Sequence, residues 1–376
     1  MTSLHSALDS RIFYRECRSL VRAGYDVVIV APGGVDRIVD GVRIRAVPPA
    51  RNRLHRFLVT GAAVLLAALR ENCDVYHFHD PELMGCGLIL RALNKRVVYD
   101  SHEDVPKDVA QKRYIPRFLR RPAAFVVRHI SRMCTSFFDA TVIAVPAIAD
   151  GVRGKKVVIR NYPVVDDLLR IASPPWSSRS RAAIYAGSIT ESLGLREMIA
   201  AMSSPELPAD ARLTLVGAFA DAALLARVRA EPNWSRVELA GWKEGAALWE
   251  TIADAKVGLV VHHPTPTYIE GMPTKLFEYM ALGLPVVASD FPGWPEIVRS
   301  IGCGLLVDPL DAKAIGQAIS YLLRHPAKAR EMGENGRAAV IHKFNWRREE
   351  LKLLSLYANL STKSENGLRS AAGSGH

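Results

Sequence analysis

Glu270-Gly-Met-Pro-Thr-Lys-Leu-Phe-Glu278, followed by Tyr-Met-Ala-Leu-Gly283-Leu-Pro285-Val-Val-Ala-Ser-Asp290, is the stretch from which the rest of the chain can be read. Pro273-Thr274 predicts a helix start with Thr274 as N-cap. Leu276, Phe277, Met280 and Ala281 follow at helical spacing, and Gly283 is the natural stop. Glu270 is then expected on the loop before a short helix, with Glu278 about one turn inside it. The amides of residues 275–277 should be free, and with Lys275 in the first turn that end suits an anion such as phosphate. Carboxylates accept hydrogen bonds from sugar hydroxyls, so one on each side of the anion predicts a nucleotide-sugar pocket. An amphipathic helix with two surface carboxylates would share part of this pattern.

The whole stretch resembles the donor-site signature of the family 4 retaining glycosyltransferases of the GT-B fold. The resemblance includes Lys275, Phe277-Glu278-Tyr279-Met280-Ala281, Gly283, Pro285-Val286-Val287-Ala288-Ser289 and Glu296-Ile297, and extends from His5 to about Tyr357.

Outside that stretch the alternation of elements points the same way. With 376 residues the chain is long enough for two ordinary domains. In the first half, helical patterns over Arg11–Ala23, 54–70, 83–93 and 107–133 alternate with apolar strands at Asp26–Ala31, Val42–Val47, Asp74–Phe78, Arg96–Tyr99, Ala140–Ala144 and Val157–Ile159. A Pro/Ser-rich stretch at about 162–181 reads as a linker. The alternation then restarts, with strands at Ala182–Ala186, Leu213–Val216, Val237–Ala240, Val257–Val261 and Pro285–Ala288. Such alternation predicts α/β architecture, with parallel sheets covered on both faces. Three of the later strands end on Gly187, Gly217 and Gly241, where small residues let backbone approach a ligand at the carboxyl ends of strands. The expected division is a first Rossmann-like domain over 1–163 that binds acceptor, a second over 164–343 that binds nucleotide sugar, a crossover helix over 344–360 and a disordered Ser/Gly-rich tail over 361–376. In the relatives this chain resembles, an apolar strand precedes the Thr2-Ser3 pair. It is nearly absent here: either it lies upstream of Met1, which is the reading adopted, or the first sheet is incomplete.

Composition narrows the setting. The chain is 49% hydrophobic and 23% charged, as soluble globular proteins are. No apolar run reaches the 18 or so residues of a membrane span, and no signal peptide is visible. Five cysteines without CxxC spacing suit a reducing cytoplasm. Charge is concentrated in the first half, where residues 1–170 hold 27 Lys and Arg against 17 Asp and Glu. Eight basic residues lie between Lys107 and Arg132, interleaved with Tyr114, Ile115, Phe118, Leu119, Phe125 and Val126. That mixture suits an anionic membrane surface, and the protein is expected in the cytoplasm, peripheral on the inner face of the cytoplasmic membrane. A solvated basic helix face has the same composition. No nucleic-acid recognition motif accompanies the charge, and nucleic acid is not expected as a partner.

The resemblance implies further roles. Glu278 would accept from the ribose hydroxyls, and Glu270 with the backbone of Gly271 and Met272 would contact the sugar. Gly241 and Trp242 would lie at the base, and Gly187, Gly217 and Lys275 at the phosphates of a UDP- or GDP-linked donor. His102, in Tyr99-Asp-Ser-His-Glu103, corresponds to a catalytic histidine near the transferred sugar, with Glu270 as its partner in catalysis. His5, Arg11 and Glu103 would lie on the acceptor side. His77 and His79 follow a strand on one face and could ligate a metal, but a structural role is the reading adopted; no metal or cofactor is expected. Many relatives carry two basic residues where this chain has Ser188 and Leu193, and Lys275 with Arg196 is expected to compensate. The implied activity is metal-independent, retaining hexosyl transfer to a lipid-linked or polysaccharide acceptor in cell-surface glycan synthesis. A catalytically weakened binding or assembly subunit and a nucleotide-sugar epimerase of the same fold remain open.

Overall fold

The computed structural model describes residues 1–101, 104–111 and 115–372. The chain divides into two compact units, Met1–Asn161 with Trp346–His376, and Tyr162–Asn345.

In the first unit a helical segment, π-wound over Ile12–Cys17 and α-helical over Arg18–Arg22, leads into β1 (Val28–Pro32). β2 (Arg37–Val39) and β3 (Val42–Val47) form an antiparallel hairpin, and β3 pairs parallel with β1. The sequence reading missed β2, although Asp40-Gly41 marks it. Both residues have positive φ, as a two-residue type I′ turn requires. β4 (Val75–Phe78), β5 (Arg96–Ser101), β6 (Ala140–Ile143) and β7 (Lys156–Val158) form a separate parallel sheet in that order. Residues 1 and 2 lie between β1 and β4. The Thr2 amide donates to the Val30 carbonyl (3.0 Å), the His79 amide to the Met1 carbonyl (3.2 Å), and the Met1 ammonium to the His77 carbonyl (2.7 Å).

The second unit holds one six-stranded parallel sheet, built from β8 (Ala182–Ala186), β9 (Arg212–Val216), β10 (Val237–Gly241), β11 (Val257–Val260), β12 (Val286–Ser289) and β13 (Gly304–Val307). The spatial order is β10-β9-β8-β11-β12-β13, so the winding reverses between β8 and β11, the switch point where such sheets open a crevice at their carboxyl ends. β8, β11 and β12 are buried along their whole length, with one apolar cluster on each face of the sheet. That explains their continuous rather than alternating apolar runs. β13, half-buried over Gly304–Leu306, was not read from the sequence.

The stretch read as a linker is packed into this second core. Tyr162 stacks edge-on against Phe277 (4.8 Å) and Phe344 (5.5 Å), and Val165 and Leu168 are buried beside them. The last helix, Trp346–Ala372, packs on the first unit. Its Trp346 indole donates to Ser19 Oγ (2.8 Å), and Glu349 accepts from the Arg160 amide (2.8 Å). It runs past Leu360, the end expected from sequence, because extending an existing helix costs far less than nucleating one.

Candidate functional site

The site develops at the switch point of the second sheet. β8 ends at Gly187 and β9 at Gly217, both at positive φ (132° and 140°). A β-carbon on Gly217 would lie 1.9 Å from the Gly187 carbonyl oxygen, so nothing larger than glycine fits. Their amides do not face a ligand: Gly187 donates to Val216 (2.9 Å) and Gly217 to the Gly241 carbonyl (2.8 Å). These glycines contribute space.

Lys275 occupies the edge of that space. Its Nζ would sit 3.0 Å from a β-carbon on Gly187 and lies 3.8 Å from the centroid of the Tyr185 ring. Tyr185 is buried and donates its hydroxyl to the Ser188 carbonyl (2.7 Å). Burial pulls the Lys275 ammonium down to about 7, against the opposing pull of Glu278. An aromatic face under the cation stabilises it in part; an anion would do so more strongly.

The helix that carries Lys275 spans Thr274–Ala281. Pro273, not Thr274, is its N-cap, and no side chain caps it. The Leu276 amide donates to the Pro273 carbonyl (3.1 Å), so not all of the amides expected to be free are so. Leu276, Phe277, Tyr279 and Met280 are buried, each contributing about 1.5–3 kcal/mol relative to exposure. Tyr279 also accepts the Ala186 amide (2.8 Å) through its hydroxyl, tying this helix to the end of β8. Glu270 ends a short helix, Pro266–Glu270, rather than lying on a loop. Thr265 caps that helix by accepting the Tyr268 amide, and Pro266 takes its first position, where a missing N–H is harmless. The Trp294 indole donates to the Gly271 carbonyl (3.2 Å) and so fixes the turn between Glu270 and Lys275.

His262, just past β11, escaped the sequence reading. It is buried, neither ring nitrogen has a hydrogen-bond partner, and its ring lies 4.9 Å from Tyr268. Burial, with the Lys275 charge adding to it, pulls it down to about 3. The ring is therefore neutral. Its signal in the sequence was its position, immediately after a strand that ends at the switch point.

Other expected residues fall as follows. Trp242 is exposed and donates to Glu244 (3.0 Å). Leu193 packs against the core and Ser188 is exposed, so neither supplies charge. Arg196 does not compensate, because its guanidinium is paired with Glu231 (2.8 Å) at the surface. Lys275 is the cation that lies against Gly187.

Two family models cover nearly the whole chain: glycosyl transferases group 1 over residues 170–339 and glycosyltransferase family 4 over residues 10–162. The chain belongs to the family 4, group 1 glycosyltransferases. Among its relatives is the MMP alpha-(1->4)-mannosyltransferase of Mycolicibacterium hassiacum, 24% identical over 306 residues that cover 79% of this chain and 73% of that protein. Among solved structures, the sucrose-phosphate synthase of Thermosynechococcus elongatus matches with a TM-score of 0.74 at 21% identity, over 96% of this chain and 95% of that one. HepE of Anabaena in complex with UDP matches at 0.67 and 16% identity, over 91% and 94%. The fold is accordingly GT-B, with two Rossmann-like domains.

In this glycosyltransferase the first unit departs from expectation at Arg11. Read as an acceptor-side residue, it is buried and donates to Asp100 through Nε (2.8 Å) and Nη2 (3.2 Å) and to the Ile159 carbonyl (3.2 Å). A guanidinium engaged in that way holds the core together and does not face an acceptor. His5 is half-buried between Asp9 (3.6 Å) and Asp80 (3.4 Å). His102 and Glu103 lie outside the described residues, past the end of β5.

Proposed function

We propose that this glycosyltransferase binds a UDP- or GDP-linked sugar in its second domain and transfers the sugar, with retention, to a lipid-linked or polysaccharide acceptor of the cell surface. The observation that carries the donor reading is the position of Lys275: an ammonium against Gly187 and over the Tyr185 ring, at the switch point, on the helix that also bears Glu278. The names of relatives agree with it, one being a mannosyltransferase and one a structure holding UDP.

The chain's own residues do the following in this reading. Lys275 meets the diphosphate and offsets the charge that grows on it as the sugar departs. Glu278 accepts from the ribose and orients the nucleoside. Glu270 and the Gly271-Met272 backbone position the sugar ring, held by Trp294. His262 stays neutral and adds no competing proton.

Support for a membrane-borne acceptor comes from the surface of the first unit. Helix Arg117–Phe137 exposes Phe118 (77%) and Phe125 (63%), with Val126, Ile130 and Met133 also exposed, among Arg117, Arg121, Arg128 and Arg132. Leu54, Phe57, Leu58 and Val59 on the segment Arg53–Thr60 are exposed too. Among the described residues no helix is long and apolar enough to cross a membrane, which suits docking on a bilayer surface through these groups.

The deciding experiment is a thermal-shift titration of the full chain with UDP, GDP, ADP and their sugars. A ligand at 100 times its Kd adds about 2.7 kcal/mol. Stabilisation by one nucleotide series, abolished in Glu278→Ala, is expected; stabilisation by none would leave the reading of a binding or assembly subunit.

A further inference from the structure

Four side chains of the first unit converge on one point. Glu16 comes from the helix before β1, His77 from β4, His79 from just past it and Asp100 from β5. One ligand atom from each lies within 4.8 Å of all the others. Glu16, His79 and Asp100 are buried, and His77 is half-buried.

Their arrangement separates into an inner and an outer set. His79 Nε2 lies 3.6 Å from Glu16 Oε2. Two ligands on one tetrahedral ion, each bonded at about 2.0–2.2 Å, stand roughly 3.3–3.6 Å apart. His77 Nε2 is buried with no hydrogen-bond partner, as is Glu16 Oε2, whereas Glu16 Oε1 stands 3.2 Å from Arg11 Nε. One cation thus meets one of the two oxygens, and the other is costly to bury without a second. Each imidazole has an oxygen beside its other nitrogen. His77 Nδ1 lies 3.0 Å from the Tyr357 hydroxyl, and His79 Nδ1 lies 3.4 Å from the Asp100 carboxylate. Metal-bound histidines are ordinarily held in this way by a carboxylate or hydroxyl behind them. Arg11 binds Asp100 through two nitrogens and also touches Glu16 Oε1 (3.2 Å), so the Asp100 charge is already compensated.

We propose that Glu16, His77 and His79 hold a divalent cation of the zinc class, with Asp100 and Tyr357 orienting the two imidazoles. Two nitrogens and one carboxylate oxygen are a ligand set that zinc accepts, leaving a further position for water. The ion clamps the helix that precedes β1 to β4, and so ties together two sheets whose described strands do not pair with each other. The role is structural and independent of the donor reading.

The test uses the full chain, stripped with chelator and titrated with Co²⁺ while the visible absorption of the bound ion is followed, then competed with Zn²⁺. One equivalent should bind. Affinity should fall at least about tenfold in Glu16→Gln and in His79→Gln, and by a similar factor in Tyr357→Phe, where only the supporting hydroxyl is lost. His129→Gln, at an exposed histidine, should bind as the parent does. If Glu16→Gln does not fold by circular dichroism, Tyr357→Phe decides. Absence of saturable cobalt binding, or binding unchanged in Tyr357→Phe and in whichever ligand variants fold, overturns the proposal and leaves a buried hydrogen-bonded core.

Discussion

Lys275 Nζ stands 3.8 Å from the centre of the Tyr185 ring and against the backbone of Gly187. The cation of one helix is thus held over the end of the strand that borders the proposed donor site. Because Tyr185 is buried and its hydroxyl is fixed by Ser188, the ring cannot move away from the charge.

This position gives Lys275 a pH signature. Burial lowers it from 10.5 to about 7. Between these values the unfolded chain carries the proton and the folded chain largely lacks it, so stability rises with pH across the window. Below about 7 both states are protonated, and the folded state bears the full cost of burying the charge. Melting temperature should therefore climb between about pH 6.5 and 9 more steeply in the parent than in Lys275→Met. Equal slopes would mean that the ammonium is not desolvated.

A bound diphosphate favours the charged ammonium, so nucleotide binding near pH 8 should take up a proton. Calorimetry in two buffers of different ionisation enthalpy reads that uptake directly. Lys275→Ala should abolish it and weaken nucleotide binding by roughly ten- to hundredfold, the equivalent of one charged hydrogen bond at about 1.5–3 kcal/mol. Proton uptake that persists in Lys275→Ala would place the phosphates elsewhere.

Gly217→Ala tests the crowding at the ends of β8 and β9. The strained φ alone costs about 1–3 kcal/mol, and the overlap with the Gly187 carbonyl adds to it. The variant should unfold at lower denaturant than the parent with an unchanged slope, whereas Gly293→Ala, also at positive φ but with open space around it, should lose only the conformational part.

The exposed basic and aromatic residues of helix Arg117–Phe137 should set affinity for anionic vesicles. Each basic residue near the surface contributes about 1 kcal/mol, or about fivefold. Arg117→Ser with Arg121→Ser should therefore weaken sedimentation with anionic vesicles by roughly 25-fold, and added salt should reduce the difference. Phe118→Ser should weaken binding in a way that salt does not remove. Vesicle binding indifferent to all three substitutions would assign this face another role.

Much of the second unit was legible because its signals are local. Apolar runs that match fully buried parallel strands and glycines at strand ends located β8 to β12, and helical spacing with Gly283 as stop located the helix bearing Lys275. Boundaries were less secure: Thr274 proved to be the first helical residue rather than the cap, since Pro273 already supplies the extended backbone that a cap needs. β2, largely exposed, and β13, half-buried, were not read, because neither is buried along its whole length as β11 and β12 are.

What the sequence determined by itself was therefore the fold class and the residue types of the proposed donor site, both of which rest on neighbours within a few positions. Tertiary structure decided the partners. Arg11 reads as an available cation until Asp100, 89 residues away, binds it. Arg196 reads as a phosphate ligand until Glu231 takes it. His77 gains Tyr357 from the last helix, 280 residues on. A charge or an imidazole has no fixed role along the chain, because its energy depends on burial and on which opposite group reaches it, and packing across the whole domain sets both.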